Sequence, residues 1–340
     1  MLNRKFISLL LIVVTFFVIT YRDIIAFATE NPDFTIDSSQ RDDIDHISSK
    51  AAIIIDFATG IVIYELNADE LRVPASMTKI IAAYVVLDAV RDGVVSMDTG
   101  LVTRESTSAF SYVRAYTNVP MPPESSYTVR ELLEAVIVRS ACAATIALGE
   151  GIFGSDEALI AKMNEKTAQL GIEAVFHDSW GGSPQNRISA RGMAEITMSL
   201  IKDYPEILDI TSQSYVYFDE VRYNSTNVLL GDYDGIDGVK TGFTNPAGWC
   251  FTGTAIREGR RIISVTMGSV QGYRFPDSVV LLDYGFENFG SVLADHFKAA
   301  MQQLMPNYNS SSLMPAIIYS NVDEARYLGM RELAVILNGS

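Results

Sequence analysis

The stretch VPASMTKIIAAYVV, residues 73–86, places a serine one helical turn ahead of a lysine at the start of an apolar run. From Ile80 to Val90 nearly every side chain is aliphatic or small, which predicts a helix buried on most sides. The first turn of a helix carries partial positive charge and a buried ammonium is costly, so both effects disfavour the charged form of Lys79. A neutral amine one turn from a hydroxyl can accept its proton. Ser76 is therefore a candidate nucleophile and Lys79 its base.

This pair alone is weak evidence, because Ser-x-x-Lys occurs often by chance. Ser76 could simply cap the helix while the Lys79 side chain extends to water. Two further motifs strengthen the catalytic interpretation. RSACAAT, residues 139–145, places Ser140 in a predicted break between two helices, and VKTG, residues 239–242, lies in a predicted strand.

The order Ser-x-x-Lys, then Ser-x-(usually Asn), then Lys-Thr-Gly is the signature of penicillin-recognising serine enzymes. Lys240 and Thr241 offer an ammonium and a hydroxyl to a substrate carboxylate, and Gly242 allows a close approach to the strand. The alternative for Lys240 is an ordinary lysine at a strand edge. A phosphate-binding loop is excluded because Val239 separates Gly238 from Lys240 and no glycine-rich turn precedes a helix.

Composition excludes several other classes of protein. The chain has 340 residues, 48% of them hydrophobic, and a net charge of −15, which disfavours binding to nucleic acid. It has three histidines and neither a CxxC nor an HExxH pattern, so we expect no zinc site built from its side chains. Cys142 and Cys250 are the two cysteines, and at most one disulfide can form.

The N-terminus resembles an export signal. Arg4 and Lys5 precede an apolar stretch from Phe6 to Thr20, and an A-x-A pattern follows, with cleavage expected after Ala28. A retained membrane anchor is the alternative. We therefore expect an exported, extracytoplasmic protein. Peripheral association with the membrane or the wall is compatible with this expectation. Residues 29–46 are predicted to form a polar linker.

Hydrophobic periodicity divides the rest of the chain. Two strands are predicted around a turn near Gly60, and further strands over residues 237–270 with turns at Asn245-Pro246 and Glu258-Gly259. Helical patterns lie between them, one opening with a capping box at Thr128. Strands at both ends with helices between predict an α/β (α+β) fold, in which an antiparallel sheet from both chain ends is flanked by helices and an all-helical subdomain is inserted. A helix is predicted over 292–304, within a short tail at 288–340.

From residue 48 to 287 the chain resembles the serine-type D-alanyl-D-alanine carboxypeptidases, the low-molecular-mass penicillin-binding proteins of bacterial wall metabolism. The segments that carry the resemblance are PASMTKI, DGVKTGFTNPAGWCFTGTAIREGRRIISVTMGS and LLDYGFENF, together with the three motifs. The resemblance implies a β-lactamase/DD-peptidase-like fold, a catalytic domain over 47–287, peptidoglycan stem peptides as substrates and β-lactam antibiotics as ligands.

The resemblance also implies roles for individual residues. Ser76 would form the acyl-enzyme, Lys79 would accept its proton and Ser140 would relay protons to the leaving amine. Lys240 and Thr241 would bind the terminal carboxylate. The backbone N–H groups of Ser76 and Phe243 would form the oxyanion hole, and no metal or organic cofactor would be needed.

The chain departs from the family pattern at two places. Cys142 stands where the family has asparagine, in a substrate-binding position, and no sequence feature places a base beside this thiol. HDSWGGS, residues 177–183, replaces the family's Asn-Pro-x-Gly-Leu. A catalytically weak or dead homologue therefore remains an alternative. A β-lactamase is disfavoured because the matching region lacks a glutamate near an asparagine, and a Ser-His-Asp hydrolase because no G-x-S-x-G occurs.

Overall fold

The two ends of the described chain form one five-stranded antiparallel sheet. A computed structural model describes residues 44–304, and side chains as far as residue 293, so the predicted signal, most of the linker and the end of the tail lie outside it. The strands of the sheet are β1 Ala51–Asp56, β2 Val62–Leu66, β9 Ile236–Thr244, β10 Gly248–Arg257 and β11 Arg260–Ser269. Their order is β2-β1-β11-β10-β9, which leaves β9 at one edge.

The segment between β2 and β9 is mostly helical, but it also carries three two-stranded ribbons. These ribbons pair β3 Gly100–Val102 with β4 Ser126–Thr128, β5 Ala174–Val175 with β6 Arg187–Ile188, and β7 Tyr215–Phe218 with β8 Val221–Asn224. The fold class is therefore as predicted, whereas an insertion built of helices alone is too simple. The ribbon strands have two to four residues, too few for a periodic pattern to show in sequence.

Eight α-helices surround the sheet in the described residues. They are α1 Thr78–Arg91, α2 Glu105–Ser111, α3 Val129–Glu134, α4 Cys142–Leu148, α5 Asp156–Gln169, α6 Ala190–Asp203, α7 Ile207–Thr211 and α8 Arg274–Leu304. The predicted capping box is present, since the Thr128 hydroxyl accepts from the Glu131 N–H and the Glu131 carboxylate accepts from the Thr128 N–H. The predicted helix 292–304 is the end of α8. None of the helices within 44–304 combines the length and the apolar content of a membrane span.

Strand β1 is buried on both faces, which explains its unbroken apolar run. Ile53 and Ile55 pack into the larger core, under the inserted helices, and Ile54 packs into the smaller core, under α8. Ala51 pairs with Met267 of β11 and Ala52 with Leu66 of β2, so the first strand lies inside the sheet, between these two neighbours. Ile44, within the predicted linker, is also fully buried in the smaller core.

Candidate active site

The nucleophile candidate lies where the inserted helices meet the edge strand β9. Residues Ala75–Met77 form a 3-10 turn that leads directly into α1, and Ser76 is half-buried while Lys79 is completely buried. Ala75 has a positive φ of 50°, a conformation that costs energy for a residue with a side chain. Backbone strain of this kind is often found at functional sites, where the surrounding structure enforces it.

Lys79 is the centre of the polar contacts at this site. Its Nζ lies 3.0 Å from Ser76 Oγ, 3.5 Å from Cys142 Sγ and 2.6 Å from the carbonyl oxygen of Trp180, to which it donates. The predicted nucleophile and base are therefore in hydrogen-bond contact. No sequence feature places a base beside Cys142, but the fold brings the predicted base Lys79 to it from 63 positions away in the sequence.

The second motif stands at a sharp break, as predicted. Ser140 adopts a left-handed conformation with φ of 68°, between the π-helical turn Ala135–Arg139 and α4. Cys142 begins α4 and is buried. Ser140 is buried too, and its backbone carbonyl oxygen lies 3.8 Å from Cys142 Sγ. Contact with Lys79 is thus made by the thiol, whereas the proton relay assigned to Ser140 stays a prediction.

Strand β9 supplies the third motif from the opposite wall. Lys240 and Thr241 are both buried, and the Thr241 hydroxyl is 2.7 Å from that of Thr226. Burial, together with the positive charges of Lys79 and Arg274, holds the pKa of the Lys240 amine well below its usual range, although the nearby Cys142 acts in the opposite direction. A carboxylate arriving beside Lys240 would reverse part of this effect, because it favours the ammonium form.

Two glycines allow the walls to close on the nucleophile turn. A Cβ on Gly242 would lie 2.8 Å from the Pro74 carbonyl oxygen and 3.2 Å from the Ser76 nitrogen. A Cβ on Gly181, whose φ is 90°, would lie 2.0 Å from the Ala75 carbonyl oxygen. Phe243 follows Gly242 at the exposed edge of the sheet. Both the strand and the 177–183 loop therefore touch the turn that carries Ser76.

Sequence reasoning missed the residues that shape the 177–183 loop. The Asp178 carboxylate accepts hydrogen bonds from the backbone N–H groups of Gly181 and Gly182 at 2.7 and 2.8 Å, and from Asn186 Nδ2 at 2.9 Å. These bonds fix the loop so that the Trp180 carbonyl points at Lys79. The departure from the family pattern at HDSWGGS drew attention to this loop. It did not indicate that the Trp180 carbonyl would contact the predicted base, Lys79.

Arg274, at the start of α8, is a second residue that the sequence did not reveal. Its guanidinium donates to the Gly242 carbonyl at 3.4 Å and lies 4.8 Å from the centre of the Trp249 ring. Burial lowers the pKa of this guanidinium to about 10, which still leaves it charged at neutral pH. Positive charge thus accumulates behind the Lys-Thr-Gly strand. Nothing local marks Arg274, because its role depends on where α8 begins.

The two cysteines do not form a disulfide with each other. Both are free and buried, Cys142 at the site and Cys250 in strand β10. Burial raises the pKa of the Cys250 thiol to about 11, so it stays protonated. Cys250 is thus a small core residue, whereas Cys142 is part of the polar cluster around Lys79.

This combination of an antiparallel sheet, an inserted helical region and a Ser–Lys pair facing a Lys-Thr-Gly strand defines a class of serine enzymes that recognise penicillin. The family model described as D-alanyl-D-alanine carboxypeptidase matches residues 37–271. The chain belongs to this family, and the family and fold predicted from the motifs are confirmed.

Curated relatives and solved structures agree with this assignment. D-alanyl-D-alanine carboxypeptidase DacF of Bacillus subtilis is 32% identical over 71% of the chain, and DacC of Escherichia coli is 33% identical over 72%. The chain spans 63% of the length of each of these relatives. Penicillin-Binding Protein D2 from Listeria monocytogenes, solved in its cefotaxime-bound form, superposes with a TM-score of 0.63 at 31% identity, covering 71% of the chain and 98% of that protein.

Proposed function

We propose that this protein is a serine-type D-alanyl-D-alanine carboxypeptidase that removes the terminal D-alanine from peptidoglycan stem pentapeptides outside the cytoplasm. The observation that carries the proposal is the 3.0 Å contact between Lys79 Nζ and Ser76 Oγ, made opposite the Lys-Thr-Gly strand. The names of the relatives agree with this substrate class.

In this mechanism the Ser76 hydroxyl attacks the carbonyl of the penultimate D-alanine and gives its proton to the Lys79 amine. Lys240 and Thr241 bind the carboxylate of the residue that leaves. The backbone N–H groups of Ser76 and Phe243 stabilise the oxyanion. Ser140 passes the proton to the leaving amine, and water then hydrolyses the acyl-enzyme.

The 177–183 loop favours a carboxypeptidase over a β-lactamase. A β-lactamase of the Ser-x-x-Lys type uses a glutamate to activate water for rapid deacylation. The carboxylate in this loop, Asp178, is instead occupied by the backbone N–H groups of its own loop and by Asn186. An acyl-enzyme with penicillin should therefore be long-lived.

Covalent labelling with benzylpenicillin tests the proposal. Intact mass spectrometry of the protein should show one adduct, peptide mapping should place it on Ser76, and Ser76→Ala should abolish it. The same preparation should release D-alanine from a D-Ala-D-Ala peptide. An adduct that survives Ser76→Ala contradicts the assigned nucleophile. Labelling without any release of D-alanine favours the alternative of a catalytically dead homologue.

A further inference from the structure

Three aromatic side chains gather beside the base. Phe110 lies in the last turn of α2, Tyr116 lies in the loop after it, and Trp180 lies in the 177–183 loop. The ring centres of Tyr116 and Trp180 are 4.9 Å apart. The ring centre of Phe110 lies 5.3 Å from that of Tyr116 and 5.4 Å from that of Trp180. Tyr116 is 43% exposed, and the other two are half-buried. We call these three residues the aromatic cluster.

The aromatic cluster is held on backbone that also touches the reacting groups. The carbonyl of Trp180 accepts the hydrogen bond from Lys79, and the next residue, Gly181, packs on the turn that carries Ser76. On the other side, Asn118 donates to the Phe110 carbonyl at 3.1 Å and accepts from the Ala143 N–H at 2.7 Å. The rings therefore have a fixed position relative to the nucleophile and the second motif.

The aromatic cluster lies on the wall opposite the predicted carboxylate anchor. Lys240 and Thr241 belong to strand β9, whereas the cluster belongs to the inserted region, and both walls contact the backbone at Ser76. If the leaving residue binds at β9, the acyl group that stays on Ser76 extends to the opposite wall. There it would contact the rings of the aromatic cluster. The cluster itself offers no charged side chain, and Asp178 beside it is occupied by its own loop.

We propose that the aromatic cluster is a subsite for the acyl side of the ligand, selecting a substituent with an apolar body such as a phenyl ring or a chain of methylenes. This inference rests on the proposed function, because it identifies the side chain preceding the two D-alanines as the group that binds there. Contact with such a group removes exposed aromatic surface from water, and ring–ring contact adds to this gain. A phenyl ligand should therefore bind roughly tenfold more tightly than one with a methyl group in its place.

The test compares phenylacetyl-D-Ala-D-Ala with acetyl-D-Ala-D-Ala on Ser76→Ala protein, which binds without turnover. Dissociation constants come from ligand-observed NMR. The ratio of the two constants should be about ten in this background and should fall to about two when Tyr116→Ala is added. Tyr116→Phe should keep the ratio. Tyr217→Ala, which removes a 60% exposed tyrosine of the β7–β8 ribbon, is the matched control and should also keep it.

An unchanged ratio in Tyr116→Ala overturns the subsite, and so does an equal loss of affinity for both peptides. Acylation of the protein with Ser76 intact, by benzylpenicillin and by 6-aminopenicillanic acid, separates this result from the proposed function. If neither compound acylates Ser76 while the binding ratio still depends on Tyr116, the enzymatic assignment fails and the subsite stands. If both acylate at rates that Tyr116→Ala changes equally, the subsite fails and the enzymatic assignment stands.

Discussion

Lys79 is the residue at which three separate parts of the chain meet. Its amine contacts Ser76 one turn away, Cys142 at the start of α4 and the carbonyl of Trp180 in the 177–183 loop. No carboxylate is among these contacts, and the side chain is completely buried. The groups that contact this amine in the described part of the chain are thus a hydroxyl, a thiol and a backbone carbonyl, and the hydroxyl is the one from which the proposed mechanism takes a proton.

The first prediction concerns this base. Lys79→Arg puts a permanent positive charge at this position and should slow acylation by benzylpenicillin roughly 100-fold or more, because a guanidinium stays protonated and cannot accept the serine proton. Adduct formation followed by mass spectrometry measures the rate. Lys162→Arg, which changes an exposed lysine paired with Glu165, is the control and should acylate normally. Near-normal acylation of Lys79→Arg would refute the role of the base.

The second prediction concerns Cys142. Its thiol meets Lys79 at 3.5 Å as a weak donor and a weak acceptor, whereas an amide would both donate and accept well. Restoring one oriented hydrogen bond in a buried site is worth about 1–3 kcal/mol, so Cys142→Asn should raise kcat/KM on a D-Ala-D-Ala peptide roughly ten- to a hundredfold.

Cys142→Ala should change kcat/KM little, since a weak contact is lost. Cys250→Ala is the matched control, because that thiol lies in strand β10 away from Lys79. If Cys142→Ala stops turnover while Ser76 still acylates, the thiol takes part in deacylation. The interpretation of Cys142 as only a weaker replacement for an asparagine amide would then be wrong.

At the scale of elements, the turn Ala75–Met77 is held between a strand and a loop. Gly242 brings β9 against one side of the turn, and Gly181 brings the 177–183 loop against the other. The loop is rigid because Asp178 accepts its backbone N–H groups and because Asn186 also donates to the Thr78 hydroxyl at 3.3 Å. The geometry of Ser76 thus depends on elements far from it in sequence.

Gly181→Ala tests this dependence. Gly181 and Gly154 have nearly the same φ, 90° and 93°, but an added Cβ at Gly154 meets nothing within 4 Å, whereas at Gly181 it would overlap the Ala75 carbonyl. Both alanine variants should lose about 1 kcal/mol of unfolding free energy for the left-handed conformation. Gly181→Ala should lose clearly more and should also slow acylation about tenfold or more, because the nucleophile turn must move.

Urea unfolding and benzylpenicillin acylation of the two variants measure these effects. Equal stability losses, together with equal acylation rates, would show that the close approach of the loop is unimportant. A slow acylation confined to Gly181→Ala, with Gly154→Ala at the parental rate, is the expected outcome.

The motifs and the sheet were predictable from sequence because each depends on local pattern. Ser76 and Lys79 lie one turn apart, and the strands from β9 to β11 are long, apolar and separated by clear turns. Trp180 and Arg274 were not predictable, because they reach the site only through the packing of the insertion and of α8. The two-residue strands of the β5–β6 ribbon were not predicted for another reason, because they are too short to show a periodic pattern in the sequence.

For the whole molecule, the insertion of a helical region between β2 and β9 creates the site. In the sheet β9 is an unpaired edge strand, and the insertion packs against it through Thr211, whose hydroxyl donates to the Asp237 carbonyl, and through the turn that carries Ser76. The opposite face of the sheet is covered by α8 through Leu281, Leu282 and Phe289. Two cores on one sheet therefore hold the catalytic edge in place.

The stability of the whole protein should depend on pH through Asp156, the first residue of α5. The pKa of its carboxyl is raised to about 6, chiefly by burial and in smaller part by the nearby Asp178, while the Ser179 hydroxyl that donates to it acts in the opposite direction. In the unfolded chain this pKa is 3.8. The folded state therefore binds the proton more tightly, so the stability that Asp156 contributes is greatest below about pH 4 and is lost as the pH rises through about 6.

Asp156→Asn should remove this dependence. The difference in unfolding free energy, variant minus parent, should increase by on the order of 2–3 kcal/mol between pH 4 and pH 7, measured by urea unfolding at each pH. Glu157→Gln is the matched control on the next residue. The pKa of Glu157 is lowered by its own backbone N–H and by the Ser155 hydroxyl, so the same difference should change in the opposite direction. A difference for Asp156→Asn that stays flat from pH 4 to pH 7 would show that the buried carboxyl titrates as it does in the unfolded chain.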